Sequence, residues 1–321
     1  MKKVLSIDGG GIRGIIPALI LAEVEKRTGK RISELFDLIA GTSTGGILAL
    51  GLVKPDKDCT SKPKFTADEL AKLYEKEGAV IFYSDVWHKI ISANGFVEER
   101  YPSKGIESVL EKYFGNSMLS DALTDVIITS YEIEKRTSWF FKSTRAKNPE
   151  AEGENLYMKD VARATSAAPT YFEPAEIQVG KGHAFIDGGV YANNPAMCAY
   201  AEAKTMFPNE TDFLVVSLGT GEHTQPIFYK EAKNWGMVKW ALPILNVVFD
   251  GVCNVIDYQL KQLLPPRNGM RRYYRFQAKL DIPSDRMDDA TKDNIQELEL
   301  LAWHIIKDNA GMIASLCSQL K

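Results

Sequence analysis

Twice within the first fifty-odd residues an apolar strand-like run breaks into glycine and is followed by an apolar helix-forming stretch. The first run is Lys3–Asp8, closed by Gly9-Gly10-Gly11 and followed by Ile15–Arg27 (IIPALILAEVEKR). The second is Asp37–Thr42 (DLIAGT), followed by Gly45–Val53 (GGILALGLV). Short runs that are apolar at consecutive positions predict strands covered on both faces. Pro17 falls in the first turn of its helix, where a missing N–H costs little. Strand, helix, strand, helix in this order is met by parallel strands joined through right-handed crossovers, with helices covering the sheet.

The remaining sequence extends this α/β pattern. Helices are predicted over Thr66–Glu77, Ser103–Tyr113 and Met158–Ala164, the first two with capping-type starts. Strands are predicted over Asp125–Glu132, Thr137–Lys142, His183–Ile186 and Phe213–Leu218, and Asn194-Pro195 reads as a helix start. Ile295, Leu298, Leu301, Ala302, Ile305 and Ile306 share one helical face near the C-terminus. With no repeat or low-complexity linker, residues 1–321 read as a single domain with a helical C-terminal part.

Composition excludes several classes. A net charge of −3 gives no global basic field, which argues against a nucleic-acid polymer as partner. Cys59, Cys198, Cys253 and Cys317 are scattered without zinc spacing, and read as thiols in a reducing compartment. No H-E-x-x-H or calcium-type acidic loop occurs, so no metal and no cofactor is expected. The apolar run at the N-terminus is too short for a signal-peptide core, and no stretch is long enough to span a bilayer; a cytoplasmic protein is expected.

Three loops carry the chemistry. Gly9, Gly11 and Gly14 satisfy G-x-G-x-x-G, the dinucleotide fingerprint. Two residues oppose that reading: the next strand ends in Gly41-Thr42 rather than an acid for a ribose, and Asp8 puts negative charge where a pyrophosphate would lie. Gly41-Thr42-Ser43-Thr44-Gly45 is a G-x-S-x-G between an apolar strand and an apolar helix, the context of a nucleophile elbow. Asp187-Gly188-Gly189 follows a short apolar strand; alone it would be a capped turn, but a serine elbow needs a base.

Together these motifs resemble the patatin-like phospholipase family. Its D-G-G-G-x-R-G appears as Asp8–Gly14, its G-x-S-x-G as Gly41–Gly45 and its D-G-G/A as Asp187–Gly189. Ala164–Pro174 (ATSAAPTYFEP), Asn193-Asn194-Pro195, Ser217–Gly221 (SLGTG) and Met287–Ile295 (MDDATKDNI) also look like patatin segments, so the resemblance covers nearly the whole chain. It implies a three-layer α/β fold related to the α/β hydrolases. It implies phospholipase A-type cleavage of membrane lipid acyl esters, with Ser43 as nucleophile, Asp187 as base and no histidine. In that reading Gly9, Gly10 and Gly11 offer backbone N–H groups to the oxyanion, and Arg13 adds charge or locks the loop.

A Ser–His–Asp triad is the nearest mechanistic rival. Of His88, His183, His223 and His304, only the last two follow Asp187, and His223 stands at a probable strand end. Two apolar, aromatic segments, Ala79–Phe96 and Asn234–Val252, are candidates for meeting lipid or for walling a pocket; they carry Trp87, Trp235 and Trp240 beside Lys89, Lys233 and Lys239. The chain also resembles bacterial patatin-like proteins of antiphage systems, in which a cyclic oligonucleotide activates the lipase. Arg271, Arg272 and Arg275 are the candidates for that activator. A non-catalytic binding module is the third reading, opposed by the intact Ser43 and Asp187.

Overall fold

A computed structural model describes residues 1–82, 101–151, 153–178, 182–222, 224–240 and 243–321. His88, Trp87, Lys89, His223 and most of Ala79–Phe96 lie outside the described residues.

The strands are β1 (Lys2–Ile7), β2 (Leu38–Thr42), β3 (Asp125–Glu132), β4 (Thr137–Lys142), β5 (Ala175–Ile177), β6 (His183–Asp187), β7 (Phe213–Leu218) and β8 (Tyr273–Phe276). They form one sheet in the order β5-β6-β3-β2-β1-β7-β8, with β4 also paired to β3. The centre is parallel: β1 lies between β2 and β7, and β2 pairs β3 in the same sense. The β3–β4, β3–β6 and β5–β6 pairs are antiparallel. The chain thus winds outward from β1 to β3 on one side and returns to β7 and β8 on the other. That reversal beside β1 opens the crevice where α/β sheets hold their ligands.

Side chains alternate across the sheet, and each face has its own core. Leu5, Ile7, Ile39, Val126, Ile128 and Val216 belong to the larger core, under the Ile15–Thr28, Thr44–Val53, Ala67–Ile81, Met158–Thr165 and Lys292–Asp308 helices. Val4, Leu38, Ala40, Ile127 and Val215 face the smaller one, with Ala196, Ala199 and Ala203 of the Ala196–Met206 helix and Leu260 of the Pro243–Leu263 helix. This is the three-layer α/β arrangement the sequence led one to expect. Every residue of the Thr44–Val53 helix is buried, which explains why its sequence is apolar all round.

Local signals act where they were read, with two differences. Thr66 closes a capping box: its hydroxyl accepts from Glu69 N–H at 3.0 Å, and Glu69 accepts from Thr66 N–H at 2.9 Å. The helix at Ser103 instead follows Pro102 and has no side-chain cap. The last third is not purely helical, because β8 adds an edge strand to β7.

Candidate active site

Strand register brings the three loops to one place. Thr42, the last residue of β2, stands opposite Thr129 of β3, and the next residue, Ser130, stands opposite Asp187 of β6. Strand β3 runs past the end of β2, and β6 returns antiparallel along that overhang. Asp187 therefore arrives level with the turn that follows β2. The glycine loop leaves the adjacent β1, whose Ile7 pairs Gly41.

Ser43 occupies the elbow between β2 and the Thr44–Val53 helix with φ 55° and ψ −124°, backbone that a non-glycine residue adopts only under constraint. Its N–H donates to the Thr165 hydroxyl at 2.9 Å, and that hydroxyl donates to Thr129 O at 2.6 Å. Thr42 is fixed by its own hydroxyl, bonded to Ala192 O at 2.6 Å and paired with the Thr129 hydroxyl at 2.7 Å. A side chain at Gly45 would run into Ile7 O, so the elbow closes against β1 only with glycine there.

Asp187 is buried and accepts a hydrogen bond from Gly189 N–H at 2.7 Å, and the Ser43 hydroxyl faces it closely enough to favour its charged form. Burial pushes its carboxyl up to about 6, against the opposing pull of those two donors. A carboxylate in this state is a stronger base than free aspartate and sits close to neutral pH.

The glycine loop contributes donors selectively. Gly9 N–H is bonded to Asn193 O at 3.0 Å, Ile12 N–H to Met287 O at 2.9 Å and Arg13 N–H to Gly10 O at 3.2 Å. The N–H groups of Gly10 and Gly11 have no acceptor among the described residues. Gly11 has φ +59°, and a side chain there would strike Met287 O. Gly10, Gly11, Ser43 and Asp187 line one cavity with Ile12, Thr44, Ile47, Leu73, Tyr74, Gly78, Ile81, Phe82, Ile106, Tyr171, Phe172, Phe249 and Met287. Ser166, Ala168 and Asn193 complete the lining; the Thr44 and Tyr74 hydroxyls bond each other at 2.5 Å and the Ser166 hydroxyl donates to Ala162 O at 2.7 Å, so most of the wall is apolar.

The arginines and Gly9 depart from their expected places. Gly9 spends its N–H on the scaffold. Arg13 is buried behind the loop, where Nε donates to Gly10 O at 3.2 Å and a terminal nitrogen to Asp285 O at 3.3 Å. It braces the loop and does not line the cavity. Arg275 pairs with buried Asp8 at 2.6 Å and donates to the Ser217 hydroxyl at 2.8 Å. Burial works to lower the Arg275 pKa, but the Asp8 charge outweighs it and holds the guanidinium above its ordinary value. That pair explains the acidic residue ahead of the glycines, which the sequence left as an objection to a phosphate cradle. Arg272 donates to Pro265 O at 2.9 Å and faces Asp212 at 3.6 Å, while Arg271 touches Met312.

Several positions seen in the sequence only as part of a resemblance prove to be supports. Thr165 holds Ser43, Asn193 holds Gly9, Met287 holds Ile12, and the Thr220 hydroxyl donates to Gly9 O at 2.6 Å. The Asn194 side-chain oxygen accepts from Ala196 N–H at 3.0 Å, the capping contact expected at that helix start. Of the described histidines, His183 stacks on Phe185 at the start of β6 and His304 is exposed; neither lines the cavity.

A strained serine after a parallel strand, facing a buried carboxylate in a largely apolar cavity, is the arrangement of a serine-dependent carboxylic ester hydrolase built on an α/β sheet. Residues 5–200 match the family model described as patatin-like phospholipase. The chain is 33% identical to patatin-like protein 2 of Oryza sativa subsp. indica over 98% of this chain and 85% of that protein. It is 33% identical to patatin-like protein 2 of Arabidopsis thaliana over 95% and 82% of the two chains. A potato protein named probable inactive patatin-3-Kuras 1 is 31% identical over 97% and 88%. The chain belongs to the patatin-like phospholipase family, whose activity is lipid acyl hydrolysis.

Proposed function

We propose that the protein cleaves acyl esters of membrane phospholipids, in the phospholipase A manner, through a Ser43–Asp187 dyad. Family membership does not carry this alone, since one relative is named as probably inactive. The observation that carries it is the placement of Ser43, in its strained elbow, facing buried Asp187 in one largely apolar cavity that both residues line. An acyl chain lies along Ile12, Ile47, Leu73, Ile81 and Phe172, with its ester carbonyl at Ser43. The Ser43 oxygen attacks the carbonyl carbon while its proton passes to Asp187. The oxyanion is received by the N–H groups of Gly10 and Gly11, which line the cavity beside Ser43 and have no acceptor among the described residues. Collapse expels the lysophospholipid alkoxide, which takes the proton back from Asp187. Asp187 then accepts a proton from water as that water attacks the Ser43 ester, and returns it to the Ser43 oxygen as the ester bond breaks and free fatty acid leaves.

The gated-effector reading is the alternative within the same chemistry, and with it goes a bacterial origin; the relatives compared above are plant proteins. Of its three candidate arginines, Arg275 is spent on Asp8. The test is mass-spectrometric analysis of products from phosphatidylcholine and phosphatidylglycerol, with and without cyclic dinucleotides and trinucleotides. Fatty acid and lysophospholipid should appear without nucleotide and vanish in Ser43→Ala. Products only on nucleotide addition would favour the effector, and products that persist in Ser43→Ala would refute the serine mechanism.

A further inference from the structure

The Pro243–Leu263 helix presents two faces of opposite use. Phe249, on its buried face, lines the cavity beside Ser43. On the other face Ile244, Val247, Val255 and Tyr258 are exposed, at spacings that repeat one helical stripe. The preceding segment adds Phe228, 58% exposed, Tyr229, 80% exposed, and Met237, 92% exposed. Trp235 and Trp240, the aromatic residues that stand out in the sequence, are only half-buried and pack edge-on against each other at 5.2 Å.

Charge says what covers this surface. The lysines concentrate in residues 227–240, with Lys230, Lys233 and Lys239 against the single acid Glu231, while the helix that follows carries Asp250, Asp257 and Lys261, so the surface as a whole is net basic in a chain whose net charge is −3. All three lysines of residues 227–240 are exposed. Apolar and aromatic side chains interleaved with lysines suit the headgroup boundary of an anionic bilayer, where the rings enter and the ammonium groups meet phosphate. A second copy of this net-acidic chain would match the lysines but would leave the cavity wall facing protein. A bilayer there places the lipid next to the helix that forms the wall. No helix among the described residues is long and apolar enough to cross a membrane, so contact of this kind is peripheral.

We infer that Phe228, Tyr229, Met237 and the exposed stripe of the Pro243–Leu263 helix form a docking surface for anionic lipid bilayers, which delivers phospholipid to the cavity. The inference rests on the proposed lipid-ester reaction, so binding and catalysis are to be read separately. Co-sedimentation with vesicles of phosphatidylcholine, alone or mixed with phosphatidylglycerol, is measured for the wild type, for Phe228→Ser/Tyr229→Ser/Met237→Ser and for Val255→Glu/Tyr258→Glu. Hydrolysis of a soluble short-chain ester and light scattering are followed in parallel. The wild type should bind the mixed vesicles, and each variant should bind them about tenfold more weakly while turning over the soluble ester as before. Equal vesicle binding by wild type and both variants would overturn the inference. So would a wild-type dimer that the variants dissolve without loss of lipid binding. Absence of ester turnover with lipid binding intact would refute the reaction instead, leaving the surface in place.

Discussion

The desolvation of Asp187 predicts that the residue proposed as the catalytic base weakens the fold. Burial raises its carboxyl from the ordinary 3.8 to about 6, despite the opposing pull of the Ser43 hydroxyl and Gly189 N–H. A group whose folded pKa is raised binds its proton more tightly in the native state. Its favourable contribution is complete below the unfolded value and is lost as pH rises through the folded one, here between about 4 and about 6. About two units correspond to about 3 kcal/mol lost at pH 8 relative to the protonated state. Asp187→Asn keeps the shape and an oxygen for Gly189 N–H but has no charge to desolvate. At pH 8 the variant should therefore melt higher than the wild type, by about 4 °C for a chain of this length if the whole effect is realised. At pH 4.5 the difference should shrink to about a third of that, since native Asp187 is then protonated while the unfolded chain still ionises, and it should close only below about 3.8. The assay is thermal unfolding followed by circular dichroism at matched ionic strength from pH 4.5 to 8. A variant that is no more stable at pH 8, or a difference that does not change with pH, would refute the reasoning. The same carboxyl predicts that kcat/KM on a soluble ester rises with pH to a plateau above about 6.

Three further outcomes follow from the supports. Thr165→Val leaves Ser43 N–H and Thr129 O without their shared hydroxyl, so kcat should fall and stability drop by about 1–3 kcal/mol, read by esterase kinetics and chemical denaturation. Gly11→Ala forces a side chain onto Met287 O at positive φ, so a loss of about 10²–10³ in kcat should come with a lowered melting temperature. Arg275→Met strands buried Asp8 and should cost about 3–5 kcal/mol, whereas Asp8→Asn combined with Arg275→Met should recover much of that in urea titrations.

Much of the architecture was legible because its signals are local. The strands at the N-terminus are apolar on both faces, and the two glycine turns separate them cleanly from their helices. Ser43 and Asp187 could be paired because an elbow serine requires a base, though they are far apart in the chain. What stayed hidden was long-range. Strand β8 has only four residues, too few for a periodicity, so nothing in the sequence joined Arg275 to Asp8. Gly9 looked as good a donor as Gly10, since only the fold places Asn193 O against it. Thr165 offered no signal beyond its place in a conspicuous segment, because a hydroxyl bridging two strand ends has no sequence pattern of its own. The Asn234–Val252 segment read as a candidate either for meeting lipid or for walling a pocket, and only the fold places Phe249 in the cavity wall while leaving Ile244 and Val247 exposed.

The central claim is that Ser43 and Asp187 act as one unit without an imidazole. It is tested most directly by kcat/KM on one soluble ester for Ser43→Ala, Asp187→Asn, the double variant and His223→Ala, each shown to be folded by circular dichroism. Nucleophile and base that work together are non-additive, so the two single variants should each lose nearly all activity and the double variant should be barely worse. His223→Ala should retain most of the wild-type rate. Near-complete loss in folded His223→Ala, or substantial activity in Asp187→Asn, would contradict the dyad.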